Sequence, residues 1–125
     1  DLRRLQMLLA VLERRAGFQL GTQDVFINVV SGLKIAEPAA DLGVAIAIIS
    51  SLRNHVVAAT DLIIGEIGLG GEVRNVGQIR QRVEEAKKLG FNRVILPHGE
   101  HKDLKDLGLT IAPVRSVADA VDIIF

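Results

Sequence analysis

The chain has 125 residues, 49% hydrophobic and 24% charged, which excludes a disordered or fibrous segment and fits one domain with its own core. Its 15 Lys+Arg balance 15 Asp+Glu, which excludes a uniformly basic nucleic-acid coat but leaves room for a local basic patch. Without cysteine there is no disulfide, thiolate-bound zinc or thiol nucleophile; with no Trp or Tyr and only four Phe, a base-stacking platform for single strands is not expected.

In chain order, residues 1–16 read as an amphipathic helix. Leu2, Leu5, Leu9, Leu12 and Ala16 fall at a/d spacing, Leu8 and Val11 widen the stripe, and Gly17 supplies the stop. Arg3, Arg4, Arg14 and Arg15 make this the most basic segment, either as a solvated face or as a contact for a neighbouring domain or nucleic acid. Asp24 to Val30, DVFINVV, is β-branched and reads as a largely buried strand, weakened at Ser31-Gly32 and extended past a bulge by Lys34-Ile35. Pro38 opens a helix to about Arg53, central because Val44 to Ile49 is apolar on every side. Asp61 to Leu69 reads as a strand, Gly70-Gly71 as a turn, and Glu72 to Val76 as the returning hairpin arm. A helix follows from Gly77 to about Leu89, with Ile79, Val83 and Ala86 inward. Arg93 to Leu96 is a short strand stopped by Pro97, His101 to Leu107 a short helix, Thr110 to Ala112 a strand, and Ser116 caps a final helix over 117–123. Alternating helix and strand predict an α/β (α+β) domain. No 20-residue apolar run is present, so no membrane helix is expected; an Asp at position 1 suggests a fragment of a longer cytoplasmic protein.

The glycine-rich run Gly65-Glu66-Ile67-Gly68-Leu69-Gly70-Gly71 lacks the Gly-Lys-Ser/Thr ending of a phosphate loop and leads into a strand, so it reads as turn chemistry. His98 and His101 flank Glu100 but have no third ligand, which reads as a surface loop rather than a metal site. His55 stands alone at a helix end, and Ser31, Ser50, Ser51 and Ser116 have no recognisable partner base. The helix after Gly77 carries Arg80, Arg82, Lys87 and Lys88 against Glu84 and Glu85, with Glu84 and Lys88 at i,i+4 spacing. With Arg74 nearby, these cations are the residues that could neutralise duplex phosphates, a task that needs no aromatics.

Gly65-Glu66-Ile67-x-Leu69-x-Gly71-x-Val73, then Val76-Gly77 and a basic helix, resembles the proteolytic domain of Lon protease over residues 20–125. The leading helix, DLRRLQMLLAVLERRAGFQL, resembles the start of the C-terminal Lon-like domain of the bacterial RadA (Sms) DNA-repair family, so the likeness spans the whole chain. The resemblance implies a Lon proteolytic-domain-like fold (ribosomal protein S5 domain 2-like) in one domain, 1–125, with a leading helix over 1–17 and the Lon-like core over 20–125. A Lon protease carries its serine in a Pro-Ser-Ala context and its lysine base after the hairpin. Those positions are Ala39 and Arg80 here. Alanine has no nucleophilic atom and arginine stays protonated, so the expectation is a catalytically inactive domain.

The same resemblance implies a longer protein with a zinc-binding segment and a RecA-like ATPase acting in branch migration within the RecA recombinase pathway. ATP, magnesium and zinc would belong to those parts and no cofactor or metal to this one. The expected partners are double-stranded or branched DNA and further copies of the chain in a hexameric ring, without a membrane. The candidate DNA contacts are Arg3, Arg4, Arg14, Arg15, Lys34, Arg74, Arg80, Arg82, Lys87 and Lys88. The alternative is an oligomerisation module that makes no DNA contact.

Overall fold

A computed structural model describes residues 2–15, 17 and 37–125. The strand expected over 24–30, the bulge after it and Lys34 lie outside the described residues.

Three parallel strands form the central sheet in the order β1 (Asp61–Ile63), β4 (Arg93–Pro97), β5 (Thr110–Val114). Their side chains alternate across it. Ile63, Ile95 and Ala112 face a layer built from α1 (Leu2–Arg15), α2 (Asp41–Arg53) and α4 (Val117–Ile124). Leu62, Val94, Leu96 and Ile111 face a second layer, with α3 (Ile79–Lys88), a 3₁₀ turn at Lys102–Leu107 and Ala39. A two-stranded antiparallel hairpin, β2 (Glu66–Ile67) with β3 (Val73–Arg74), packs Ile67 and Val73 into the first layer.

The leading helix is part of that core. Leu8, Val11 and Leu12 are buried and Leu5 and Leu9 partly so, which follows the stripe in the sequence. Helix α1 shares its cluster with Leu42, Ile46, Ile67 and Val121. The central helix begins as a 3₁₀ turn at Pro38–Ala40 before the α-helix proper, and only Ala47 breaks its apolar surround by being exposed between Val44 and Ile49.

Several boundaries differ from expectation, each for a local reason. The strand expected over 61–69 divides at Ile64-Gly65. Ile64 still donates to Ile95 O at 2.9 Å, but the Gly65 amide donates to Ala39 O at 2.9 Å and Gly65 O accepts from Leu42 N at 3.0 Å. The backbone there serves the 3₁₀ turn instead of a ladder. The returning arm shrinks from 72–76 to Val73–Arg74 because Glu72 bridges Ser116 and Val73 N donates to Arg115 O. Helix α3 starts at Ile79, not Gly77, since Gln78 adopts a left-handed backbone at φ 60°. The segment after His101 forms a 3₁₀ turn rather than an α-helix. Strand β5 runs through Pro113 to Val114, which its edge position permits, and Ser116 caps α4 by accepting from Asp119 N at 3.1 Å. Among the described residues no helix is long and apolar enough to cross a membrane.

Candidate functional site

Ala39 sits in the 3₁₀ turn that opens the central helix. It is buried against a cluster that holds Ile64, Val83 and Val94. Its carbonyl is taken by Gly65 N, so the turn is pinned to the strand–hairpin junction. Arg82 on α3 reaches across to pair with Glu37, directly before Pro38, and its Nε donates to Gly77 O at 2.9 Å. The two positions expected to hold a catalytic pair thus lie on neighbouring elements.

The Arg80 side chain is occupied by groups on its own helix and on the 3₁₀ turn at Lys102–Leu107. The Arg80 guanidinium is engaged by Glu84 at 2.7 Å, by Asp106 at 3.0 Å and by the carbonyl of Asp103. These acceptors, Asp106 first, raise its pKa further above the ordinary arginine value, and the same hydrogen bond holds the Asp106 carboxyl below the usual carboxylate range. A permanently charged, triply bonded guanidinium has no basic lone pair to offer. Arg82 likewise lowers the Glu37 pKa through their hydrogen bond.

The other basic positions separate into two groups. Arg4, read as part of a solvated face or of a contact with a neighbouring domain or nucleic acid, is half-buried. Its Nε and Nη2 bind Asp41 at 2.5 and 2.6 Å, with Glu66 at 3.5 Å from Nη2. Asp41 is 2% exposed and also accepts from Ile67 N at 3.0 Å, so Arg4 serves the core. Arg74 pairs with Glu72 at 3.7 Å and Lys88 with Glu85 at 3.3 Å. The i,i+4 pair expected between Glu84 and Lys88 is replaced by Arg80–Glu84 and Lys88–Glu85. Arg3, Arg14, Arg15 and Lys87 are exposed. The side chains of Arg14 and Arg15 form no ion pair among the described residues, and the Arg15 Cβ lies beside the turn at Gly71.

The glycine-rich run is a hairpin turn. Gly68 donates to Glu72 O at 2.9 Å and Gly71 to Gly68 O at 3.0 Å. A Cβ on Gly68 would come 1.7 Å from Glu72 Oε1, and one on Gly65 would come 2.7 Å from Val73 Cγ1. His101 Nε2 bonds Pro97 O at 2.7 Å, and His98 Nε2 is bonded to Arg115 Nη2 at 2.9 Å. No group of three or more His, Asp or Glu placed to hold a metal occurs among the described residues. Sequence reasoning missed the Asp41 carboxylate at the centre of a buried network. The available signal was an acidic residue standing where the helix turns toward its apolar face. It also missed Arg93, which pairs with Asp61 at 2.5 Å across the first two strands of the sheet.

Residues 14–124, which carry this hairpin and the turn holding Ala39, match the model of the Lon protease (S16) C-terminal proteolytic domain, and the chain belongs to that family. Within it, the chain is similar to the DNA repair protein RadA of several bacteria. It is 44% identical to that of Chlamydia pneumoniae over 97% of this chain and 27% of the relative. It is 45% identical to that of Synechocystis sp. over 97% and 24%, and 45% identical to that of Pseudomonas aeruginosa over 100% and 28%. The chain therefore spans about a quarter of the length of these curated relatives.

Proposed function

We propose that this chain is a non-proteolytic Lon-like module of a DNA-repair protein, serving as a ring-forming scaffold and touching double-stranded DNA without sequence preference. The observation that carries the reading is the pair of replacements at Ala39 and Arg80. One position lacks a nucleophile and sits in an apolar cluster; the other is an arginine held by three acceptors. Similarity to RadA proteins along nearly the whole chain supports the repair context. ATP hydrolysis, zinc and branch migration belong, on this reading, to the parts of those longer relatives that the chain does not cover. The chain would be cytoplasmic and need no cofactor of its own.

Scaffolding alone is the second reading, and the ion pairs favour it. Five of the ten cations named for DNA, namely Arg4, Arg74, Arg80, Arg82 and Lys88, already have carboxylate partners. A cation paired in the free protein gives little net gain at a phosphate. The DNA contact then rests on Arg14, Arg15 and Lys87.

A salt titration of duplex binding separates the readings. The DNA reading expects a Kd of about 10⁻⁴–10⁻⁶ M and a steep salt slope, weakened in Arg14→Ala/Arg15→Ala and little changed in Arg80→Ala. No binding at low salt by the assembled protein leaves the scaffold. Fluorogenic-peptide turnover that survives purification and disappears with a serine substitution would overturn the non-proteolytic reading.

A further inference from the structure

The carboxyl ends of β4 and β5 bring together residues that neither the ion pairs nor the core uses. Here β4 ends at Pro97 and continues into His98-Gly99, and β5 ends at Val114 and continues into Arg115. His98 N donates to Val114 O at 2.8 Å, which fixes the two ends side by side. Strand β3 lies along the same backbone, with Val73 N on Arg115 O at 2.8 Å. Asn75, just beyond it, places its amide 3.8 Å from where a Cβ on Gly99 would stand.

Arg115 differs from Arg4, Arg74, Arg80, Arg82 and Arg93. Each of those binds a carboxylate, whereas the Arg115 Nη2 donates to the ring nitrogen His98 Nε2 at 2.9 Å. Asp119, the nearest acid on α4, accepts from the Arg115 backbone amide and makes no ion pair with its guanidinium. Glu100 forms no ion pair with Arg115 among the described residues. Accepting at Nε2 leaves the imidazole hydrogen on Nδ1. The remaining Arg115 N–H groups, His98 Nδ1–H and the Asn75 amide NH₂ are donors, and Arg115 and His98 are both exposed.

We infer that Arg115, His98 and Asn75 form an anion subsite for a phosphate group at the carboxyl edge of the sheet. Two sources share that chemistry, the phosphodiester of a DNA backbone and a free phosphate. The first rests on the DNA-contact reading above; the subsite itself does not.

The test follows the Arg115 Nε and His98 ring resonances by NMR while the intact chain is titrated with inorganic phosphate and, separately, with a short duplex. Both sets of resonances shift saturably with phosphate. Arg115→Gln weakens phosphate binding about tenfold and lowers the duplex salt slope by about 1. Glu100→Gln leaves the shifts in place. If phosphate moves the resonances and no duplex binds, the subsite stands and the DNA reading falls. If duplex binds without moving them and phosphate does not, the subsite is overturned while the DNA reading survives. Unchanged phosphate affinity in a folded Arg115→Gln protein also overturns it.

Discussion

The Asp41 carboxylate is the most demanding charge in the core. It is 2% exposed and is satisfied by two Arg4 nitrogens and one backbone amide. Breaking a buried pair from one side strands a charge, at a cost of about 3–5 kcal/mol, whereas replacing both partners with apolar groups costs much less. Arg4 keeps 26% exposure, so the lower end applies. Urea unfolding should show Arg4→Met destabilised by about 3 kcal/mol and Arg4→Met/Asp41→Leu by less; equal losses in both would refute this account of the network. The surface pairs behave differently. Asp106 and Glu37 ionise more readily when folded than in the unfolded chain. Their contribution is therefore present above the ordinary carboxylate range, near pH 4, and is lost as pH falls through the lower folded values. The urea midpoints of wild type and Arg80→Gln should differ at pH 6 and converge as the pH falls through the lowered folded value of Asp106.

At the level of elements, helix α1 behaves as a core helix. Truncating Leu12, which is 1% exposed, to Ala should cost about 2–5 kcal/mol, and a thermal melt that leaves Leu12→Ala at the wild-type midpoint would remove α1 from the core. The hairpin tolerates little at Gly65, where a Cβ would come 2.7 Å from Cγ1 of buried Val73, while Gly77 has open space around it. Gly77→Ala should be neutral or stabilising by up to about 1 kcal/mol, and Gly65→Ala clearly destabilising, as read by the same melts. Much of this level was legible in the sequence. The α1 stripe, the Gly70-Gly71 turn and the Ser116 cap are local signals, and the structure places each where its pattern puts it. The boundaries that moved are those decided by partners far along the chain: Gly65 by Ala39, Val73 by Arg115. The candidate site was legible only in part. Residue types identified Ala39 and Arg80 as chemically silent, but a list of basic positions could not separate Arg4, sequestered by Asp41, from Arg14 and Arg15, which stay exposed.

For the molecule as a whole, the proposed ring has a direct reading in solution. A heterologous contact that closes on itself yields discrete species well above a dimer, with no open filament. Sedimentation at high concentration should show such a species, and a strict monomer, there and in the longer protein, would refute the ring. Restoring Ala39→Ser with Arg80→Lys should not yield a peptidase. A lysine amine at position 80 meets the same acids, Glu84 and Asp106, that hold the guanidinium, and those acids favour its protonated form.

The Asp41 network also bears on the order of folding. Its hydrogen bonds join residues 37 and 26 positions apart, so each closes a long loop before returning any energy. Contacts of that span form after the local pieces, the α1 turns and the hairpin, have condensed. A substitution at Arg4 should then leave the refolding rate nearly unchanged and appear almost wholly as faster unfolding, with a φ-value near zero. The ion pair acts as the last catch to engage and the first to release, setting how long the folded chain persists more than how quickly it forms.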